Sequence, residues 1–384
     1  MKGEIGSLTG LRGIAALWVC AYHTLIFLDP ANGSTFSSAL AVLGTGGYLG
    51  VDIFFVLSGF VLAHNYGEDA LHSRPSEYCA YLRKRLARIY PVHLATLALV
   101  GACVFALGLA GIDYIHPEFF TTDGFIRSLA LIHAWQFPVE GVWNGASWSI
   151  SAEWAAYLAF PLVAVCTLRI RTVAAALSIL GLLYAVLYCF VITSEQPDSL
   201  AFGMIRVAVE FPAGLVLYRI WQIQKTPRGR NGDLLAVGAL IVMVLGSGLL
   251  DTALAGGWSM KALPIFACTI VYGLACSTAW ARSATDSTVA QYLGRISYSF
   301  YMIHTIVMFS ALSVLIGADH SRGTGTALIA MTVSVFLSLA LADLCYRFIE
   351  QPCRRLMVTA GHSTHGWFSG RSARARSVTP ADHP

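Results

Sequence analysis

Residues 46–63 read GGYLGVDIFFVLSGFVLA, an apolar stretch that contains a single charged residue, Asp52. A run of about 20 apolar residues is long enough to cross the hydrocarbon core of a bilayer as an α-helix. Gly46 and Gly50 place two small residues about one helical turn apart, which allows a second helix to approach closely. This stretch therefore predicts a membrane-spanning helix that packs tightly against a neighbour.

The composition of the whole chain indicates the same class. Of the 384 residues, 56% are hydrophobic and only 12% are charged, whereas soluble domains average about 25% charged residues. The mean hydropathy is +0.65. The alternative, a very apolar soluble helical protein, would lack the charges to cover its surface. The nine cysteines form no CxxC pair, so a disulfide framework or a zinc site is not expected.

We predict an all-α polytopic membrane protein with about ten transmembrane helices, from runs of roughly 20 apolar residues. The predicted spans are 8–28, 42–66, 89–112, 147–168, 173–193, 201–221, 233–250, 261–281, 291–316 and 325–348. A weaker apolar run at 125–138 contains His133, Gln136 and Pro138, so we expect it to be re-entrant or interfacial. The loop 112–146 is the longest and is expected to cap the substrate side.

The cationic residues set the predicted orientation. If the amino terminus is cytoplasmic, all but four of the 25 Lys and Arg residues fall on the cytoplasmic side, the exceptions being Arg127, Arg206, Lys261 and Arg322. This is the positive-inside pattern, and it favours an even number of spans with both termini cytoplasmic. Residues 1–356 would form the transmembrane domain, with no cleavable signal, and 357–384 a disordered cytoplasmic tail.

Arg12 and His23 lie in the first predicted span. Eleven residues are three helical turns, so both side chains share a face about 16 Å apart along the axis. Arg12 could snorkel to the boundary, and His23 could serve packing as well as catalysis. Asp52 in the second span needs a partner, for which Arg12 or the cytoplasmic arginines are candidates.

A cationic cluster precedes the third span in YLRKRLARIYP, residues 81–91. Arg85 and Arg88 are three residues apart and can present one face, joined by Arg83 and Lys84. Guanidinium groups suit phosphates, so a nucleotide-containing cofactor could dock here. Anchoring to lipid headgroups is the alternative.

Two later stretches combine polar residues at helical spacing. In WNGASWSISAEWAAY, residues 143–157, Trp148 opens a helix and Ser149 lies one turn before Glu153. In GRISYSFYMIH, residues 294–304, Tyr301 and His304 share a face with Ser297.

Charged residues also recur near the end of the chain and in the sixth span. Asp343, Arg347 and Glu350 can pair along one helix. Arg206 and Glu210 are four residues apart and are expected to form an intramembrane pair with a structural role.

In this order, these fragments resemble the acyltransferase-3 family of bacterial membrane acyltransferases over nearly the whole chain, up to about residue 356. The fragments that carry the resemblance are LTGLRGIAALWVCAYH, GYLGVDIFFVLSGF, LRKRLARIYP, SWSISAEW, LGRISYSFYMIH and YRFIEQP.

The resemblance implies transfer of an acyl group, often acetyl, from cytoplasmic acyl-CoA to a hydroxyl of a carbohydrate or related acceptor, in the bacterial cytoplasmic (inner) membrane. It implies that His23 is the catalytic histidine and that Arg12, Arg85 and Arg88 help to bind the donor. Glu153, His304 and Glu350 match recurring motif positions, and Glu153 is expected to orient or charge-balance a His or Arg. The implied partners are a carbohydrate or glycolipid acceptor and membrane lipid, without nucleic acid or a metal.

The mechanism and one rival function stay open at this level. Direct transfer with His23 as base and a transient acyl-histidine both fit the residues. A transporter or flippase for a glycolipid or small solute would also carry buried charges. Transporter folds are often built from internal repeats, and no repeat is visible in this chain, which favours the enzyme.

Overall fold

The protein is a bundle of long helices. The structure, a computed structural model, describes residues 5–28, 44, 46–70, 74–111, 119–135, 142–193, 202–224, 229–253, 262–316 and 324–359, and these ranges contain no β-strand. The all-α prediction is confirmed. In chain order the helices are α1 (Gly6–Leu28), α2 (Gly50–Ala70), α3 (Pro75–Leu109), α4 (Thr122–Leu129), α5 (Trp148–Leu168), α6 (Val173–Thr193), α7 (Phe202–Gln224), α8 (Arg230–Ala253), α9 (Ile265–Cys276), α10 (Trp280–Thr285), α11 (Thr288–Ile316) and α12 (Thr324–Cys345).

Six helical segments among the described residues are long and apolar enough to cross a membrane. They are Gly46–Ala70, Pro75–Leu109, Gly145–Leu168, Val173–Ile192, Arg230–Leu250 and Met331–Thr359. The remaining predicted spans also coincide with helices, namely α1, α7, α9 and α11. The count of about ten spans and the orientation of the termini stay predictions.

The predicted span 261–281 is wrong as a single helix. Within the described part of this segment, α9 has only 12 residues and ends at Cys276. The carboxylate of Asp233 accepts hydrogen bonds from the Ser277 hydroxyl at 2.7 Å and from the Ala281 backbone N–H at 2.8 Å. This buried carboxylate satisfies donors at the break, so the chain turns there and α10 begins at Trp280.

Helix α3 is longer than predicted and contains the cationic cluster. It begins at Pro75 rather than at residue 89, because proline suits the first helical position and the Glu77 carboxylate accepts from the Arg74 N–H at 2.9 Å. The helix ends at Leu109, and Gly111 follows with a φ of 65°, a backbone conformation that glycine adopts without strain.

Glycines allow the central helices to touch. Helix α2 packs along α7, and α1 packs along α11. A side chain at Gly59 would collide with the backbone of Phe211 in α7, and one at Gly214 would collide with the backbone of Val56 in α2. The predicted role of Gly50 is confirmed, since a Cβ there would lie 2.7 Å from Val19 of α1. Small residues therefore set the helix spacing around the site.

The surface of the bundle is apolar, unlike that of a soluble protein, and polar side chains are buried within its hydrophobic interior. Large apolar side chains are exposed on the outer helix faces, as with Phe105, Leu182 and Phe336, which are 69%, 66% and 68% exposed. Buried polar side chains lie inside, where Glu210 and His304 are both fully buried. Such a distribution suits lipid outside and a polar site inside.

Candidate active site

A pair of histidines joins α1 and α11 inside the bundle. His23 is half-buried and His304 is fully buried, and their rings lie 5.1 Å apart between centroids. Nδ1 of His23 is 3.3 Å from Nε2 of His304. The structure thus brings two of the residues singled out in the sequence into direct contact, although 281 positions separate them.

The neighbours of this pair assign its protons. Nδ1 of His304 is 2.6 Å from the carbonyl oxygen of Tyr301, and Nδ1 of His23 is 2.9 Å from that of Val19. A carbonyl oxygen only accepts, so each Nδ1 carries a proton and, in a neutral ring, each Nε2 carries a lone pair. The described residues offer no hydrogen-bond partner to Nε2 of His23, so its lone pair is uncommitted among them.

A narrow cavity of about 50 Å³ lies between α1, α2, α5 and α11. Arg12 and Glu153 line it together with Tyr301, whose hydroxyl is 2.8 Å from that of Ser149. The ring of Tyr301 also contacts His304, at 5.6 Å between centroids. Tyr301 therefore connects the cavity that Arg12 lines to the histidine pair.

Glu153 is held by two hydroxyl groups. Ser58 of α2 and Tyr157 of α5 both donate to its Oε1, at 2.5 and 2.6 Å. The same carboxylate lies within electrostatic range of Arg12. The geometry places Glu153 near Arg12 and not against His23, so its direct partners are Ser58 and Tyr157, which the sequence did not single out.

Arg88 and Glu350 form an ion pair between α3 and the end of the bundle. Arg88 donates to Oε1 of Glu350, and the hydroxyl of Ser299 donates to Oε2 at 2.6 Å. Residues Tyr346–Glu350 form a π-helical turn, whose extra residue turns Glu350 into the bundle. The expected chain of pairs along one helix is therefore wrong for Glu350, while Arg347 and Asp343 do pair, at 2.8 Å.

Three of the four predicted donor-binding cations come together. Arg12 lies within electrostatic range of both Arg85 and Arg88. Arg354, which the sequence analysis did not select, lies within range of the same two residues. Arg83 is two residues from Arg85, so its side chain points away from α3 in a different direction. This arginine cluster, defined as Arg12, Arg85, Arg88 and Arg354, marks one end of the cavity.

Asp52 has a partner that the sequence analysis did not predict. Arg206 of α7 forms a two-pronged ion pair with it, at 3.0 and 2.6 Å, and both side chains are buried. The guanidinium of Arg206 also lies 5.7 Å from the ring centre of Trp148. Two expectations are therefore wrong: Asp52 does not pair with Arg12 or the cytoplasmic arginines, and Arg206 does not form its ion pair with Glu210.

Most of the partners missed by the sequence analysis lie elsewhere in the chain. Ser58 and Arg206 lie on helices other than those of Glu153 and Asp52, and Arg354 lies beyond the last predicted span, whereas Tyr157 follows Glu153 by four residues on α5, a spacing that could have identified it. Helical spacing identifies only neighbours within one helix. No group of three or more His, Cys, Asp or Glu residues that could hold a metal ion occurs in the part of the chain that the structure describes.

Comparison with known proteins decides the family. The family model for an acyltransferase domain matches residues 5–347. The chain belongs to the acyltransferase-3 family. The helix bundle, the histidine pair and the arginine cluster are thus features of an acyltransferase, and its reaction class is the transfer of an acyl group to an acceptor. Its several apolar helices agree with a multi-pass membrane protein.

Relatives of this acyltransferase include an acyltransferase and provisionally named O-acetyltransferases. The acyltransferase MdmB of Streptomyces mycarofaciens is 30% identical over 382 residues, covering 92% of each chain. A protein of Staphylococcus aureus (strain COL), provisionally named an O-acetyltransferase, is 23% identical over 91% of this chain and 57% of its own length. No solved structure matches the chain.

Proposed function

We propose that this acyltransferase moves an acetyl group from cytoplasmic acyl-CoA to a hydroxyl of a carbohydrate or related acceptor, in the bacterial inner membrane. The observation that carries this proposal is the uncommitted Nε2 of His23. Its ring is oriented by Val19 and His304, and Tyr301 connects this pair to the cavity that Arg12 lines. O-acetyltransferase relatives support acetyl as the group and oxygen as the acceptor atom.

The arginine cluster is proposed to bind the phosphates of the donor. Guanidinium groups bind phosphates in planar, charge-assisted pairs. Arg12 and His23 are about 16 Å apart along α1, from the rise of 1.5 Å per residue. An extended pantetheine arm could span this distance and bring the thioester to the histidine pair, provided that the narrow cavity beside Glu153 and Tyr301 widens to admit it. Glu153 balances the charge of Arg12.

The chemistry follows from the tautomer of His23. Nε2 removes the proton of the acceptor hydroxyl, whose oxygen attacks the thioester carbonyl. The C–O bond forms, the C–S bond breaks, and the thiolate of CoA leaves towards the arginine cluster. His304 stabilises the imidazolium, because its Nε2 lone pair faces the Nδ1 proton of His23. A second route, in which His23 carries the acyl group first, uses the same lone pair.

Membranes with the full chain, incubated with [¹⁴C]acetyl-CoA and the envelope glycans of the expressing cells, test the proposal. We expect label in covalent, base-labile ester linkage, dependent on the glycan fraction. Uptake of label without covalent change would support the transporter instead. Membranes with the His23→Ala variant are the matched control, because they hold the same bundle without the base.

Removing Arg85 tests the donor site separately. The Arg85 guanidinium donates to the Tyr66 hydroxyl at 2.9 Å and leaves no buried carboxylate behind when truncated, unlike Arg88. We expect Arg85→Ala to raise the Kd for acetyl-CoA about tenfold, as expected for the loss of a hydrogen bond to a charged group. The exposed Arg355, which donates to Gln351, gives the control Arg355→Ala. An unchanged Kd in Arg85→Ala would instead support the alternative that this arginine anchors the helix to lipid headgroups.

A further inference from the structure

A second and larger cavity, of about 500 Å³, opens beside the arginine cluster. It lies where the end of α2, the first turns of α3 and the middle of α5 meet. The histidine pair and the narrow cavity that Arg12 lines account for none of its lining. We name this space the tyrosine cavity, and its defining residues are Tyr66, Tyr78, Tyr81 and Phe160.

The aromatic rings of the tyrosine cavity form a layered wall. Tyr78 and Tyr81 are stacked with an angle of 19° between their planes, and Tyr81 and Phe160 with an angle of 27°. The ring of Tyr66 meets Tyr81 edge-on, at 5.4 Å between centroids. Phe160 and Tyr81 are only 1% and 8% exposed, so the half-buried rings of Tyr66 and Tyr78 are the ones that a flat aromatic ligand can reach. Stacking on such rings is tolerant of the identity of the base.

Charged side chains also line the cavity. They are the carboxylates Glu68, Asp69 and Glu77 and the cation Lys84. Lys84 precedes Arg85 and lies one turn before Arg88, so α3 continues from the cavity into the arginine cluster. Tyr66 lines the cavity and also contacts the arginine cluster, since Arg85 donates to its hydroxyl at 2.9 Å and lies 5.0 Å from its ring centre.

We propose that the tyrosine cavity binds the adenosine part of the acyl-CoA donor, an inference that rests on the proposed function. The adenine stacks on the tyrosine wall, and its exocyclic amino group donates to the carboxylates of Asp69 or Glu77. These carboxylates repel phosphates, which lie instead against Lys84 and the arginine cluster. The site thereby sets the direction of the donor, with the nucleotide outside and the thioester inside.

Tyr78 offers the sharpest variant, since it is half-buried and its hydroxyl only donates to the backbone carbonyl of Leu158, at 2.9 Å. Tyr78→Phe keeps the ring and loses that hydrogen bond, whereas Tyr78→Leu loses the ring. Tyr272, whose hydroxyl donates to Gln224, lies outside the cavity and supplies the control Tyr272→Leu. Thermal melts of each purified full-length variant show whether it is folded.

Three probes separate the parts of the donor: acetyl-CoA, acetyl-phosphopantetheine, which lacks the nucleotide, and adenosine 3′,5′-bisphosphate, which lacks the arm. We expect Tyr78→Leu to raise the Kd for acetyl-CoA and for the bisphosphate at least about fivefold, the fold-change for losing one base–aromatic stack. The Kd for acetyl-phosphopantetheine should not change. Tyr78→Phe and Tyr272→Leu should stay within about twofold of the wild type for all three probes.

The outcomes distinguish this site from the proposed function. If wild-type protein binds acetyl-CoA no more tightly than acetyl-phosphopantetheine, or if Tyr78→Leu weakens both equally, the tyrosine cavity is not the adenosine site. Binding of a small organic cation such as spermidine, without binding of acetyl-CoA or the bisphosphate, would likewise overturn the proposal. If none of the three probes binds the wild type and no label is transferred from acetyl-CoA, the proposed function fails as well.

Discussion

Two pairs of histidines lie inside this bundle, and they differ in what their nitrogens contact. His23 and His304 approach each other through ring nitrogens, at 3.3 Å. His93 and His133 stack face to face instead, with 2° between their planes and 5.9 Å between centroids. Nε2 of His93 is 2.7 Å from the Ser128 carbonyl oxygen. The second pair therefore ties α3 to the loop after α4.

The difference lies in exposure and in what the Nε2 atoms contact, since the Nδ1 atoms of His93 and His133 are themselves buried without a hydrogen-bond partner among the described residues. Nε2 of His133 is 3.0 Å from the Ser147 hydroxyl, which already donates its proton to the Asn144 carbonyl at 2.7 Å. His133 must then donate, so its Nε2 is committed to structure. Both rings of this pair are fully buried, whereas His23 is half-buried with a free Nε2. Burial of a histidine in a membrane protein is thus not by itself evidence for catalysis.

The largest expected effect comes from removing His23. Because general base catalysis contributes about 10²–10⁴-fold, we expect His23→Ala to lower the initial rate of acetyl transfer by about 10³-fold. The variant His133→Gln should keep the rate within about threefold of the wild type, because the ring of His133 does not line the cavity. Labelled ester formed per minute by equal amounts of protein is the measurement. Equal losses in both variants would end the distinction between the pairs.

Replacing His304 should have an intermediate effect. It accepts the Nδ1 proton of His23, so His304→Ala should lower kcat about 10–100-fold, within the range for losing one hydrogen bond to a charged group, with little change in the KM for acetyl-CoA. His304→Gln keeps an acceptor oxygen and should recover part of the loss. The pH–rate profile is the decisive readout, because an altered His23 environment shifts its acidic limb. An unshifted profile with a raised KM would make His304 a packing residue only.

The smallest effect concerns stability at low pH. Burial lowers the pKa of His133 to about 4, and the neighbouring His93 adds to the shift. Between an unfolded pKa of about 6.5 and the folded value, the unfolded chain binds a proton that the folded chain does not. Stability should therefore fall as the pH drops through this window, by about 2 kcal/mol at pH 5 at 1.36 kcal/mol per pH unit.

Melting temperatures of the purified chain at pH 7 and pH 5 test this effect. The wild type should lose more stability than His133→Gln, which has no titrating ring at this position. A matched loss in both proteins would mean that other groups control the acid limb. Such a result would mean that titration of His133 does not distinguish the two pairs. The difference in their geometry would remain.

The sequence alone determined the class of the protein and most of its reactive residues. Apolar runs of helical length follow directly from composition, which is why α5 and α6 begin within one residue of the predicted spans 147–168 and 173–193. Single polar residues in such runs are conspicuous because they are costly there. Arg12, His23, Glu153 and His304 were found in this way, and the motif order indicated the family that the comparison confirms.

Tertiary structure alone decided which of these residues meet. Asp52 pairs with Arg206 across 154 positions, and Glu350 turns from its own helix to Arg88 across 262. Helical periodicity cannot predict such pairs. It shows which residues share a face of one helix, but it does not show which other helix packs against that face. In an apolar medium each buried charge needs a partner. The choice among several candidates is made by helix packing, which here depends on glycine contacts such as Gly59 with Phe211.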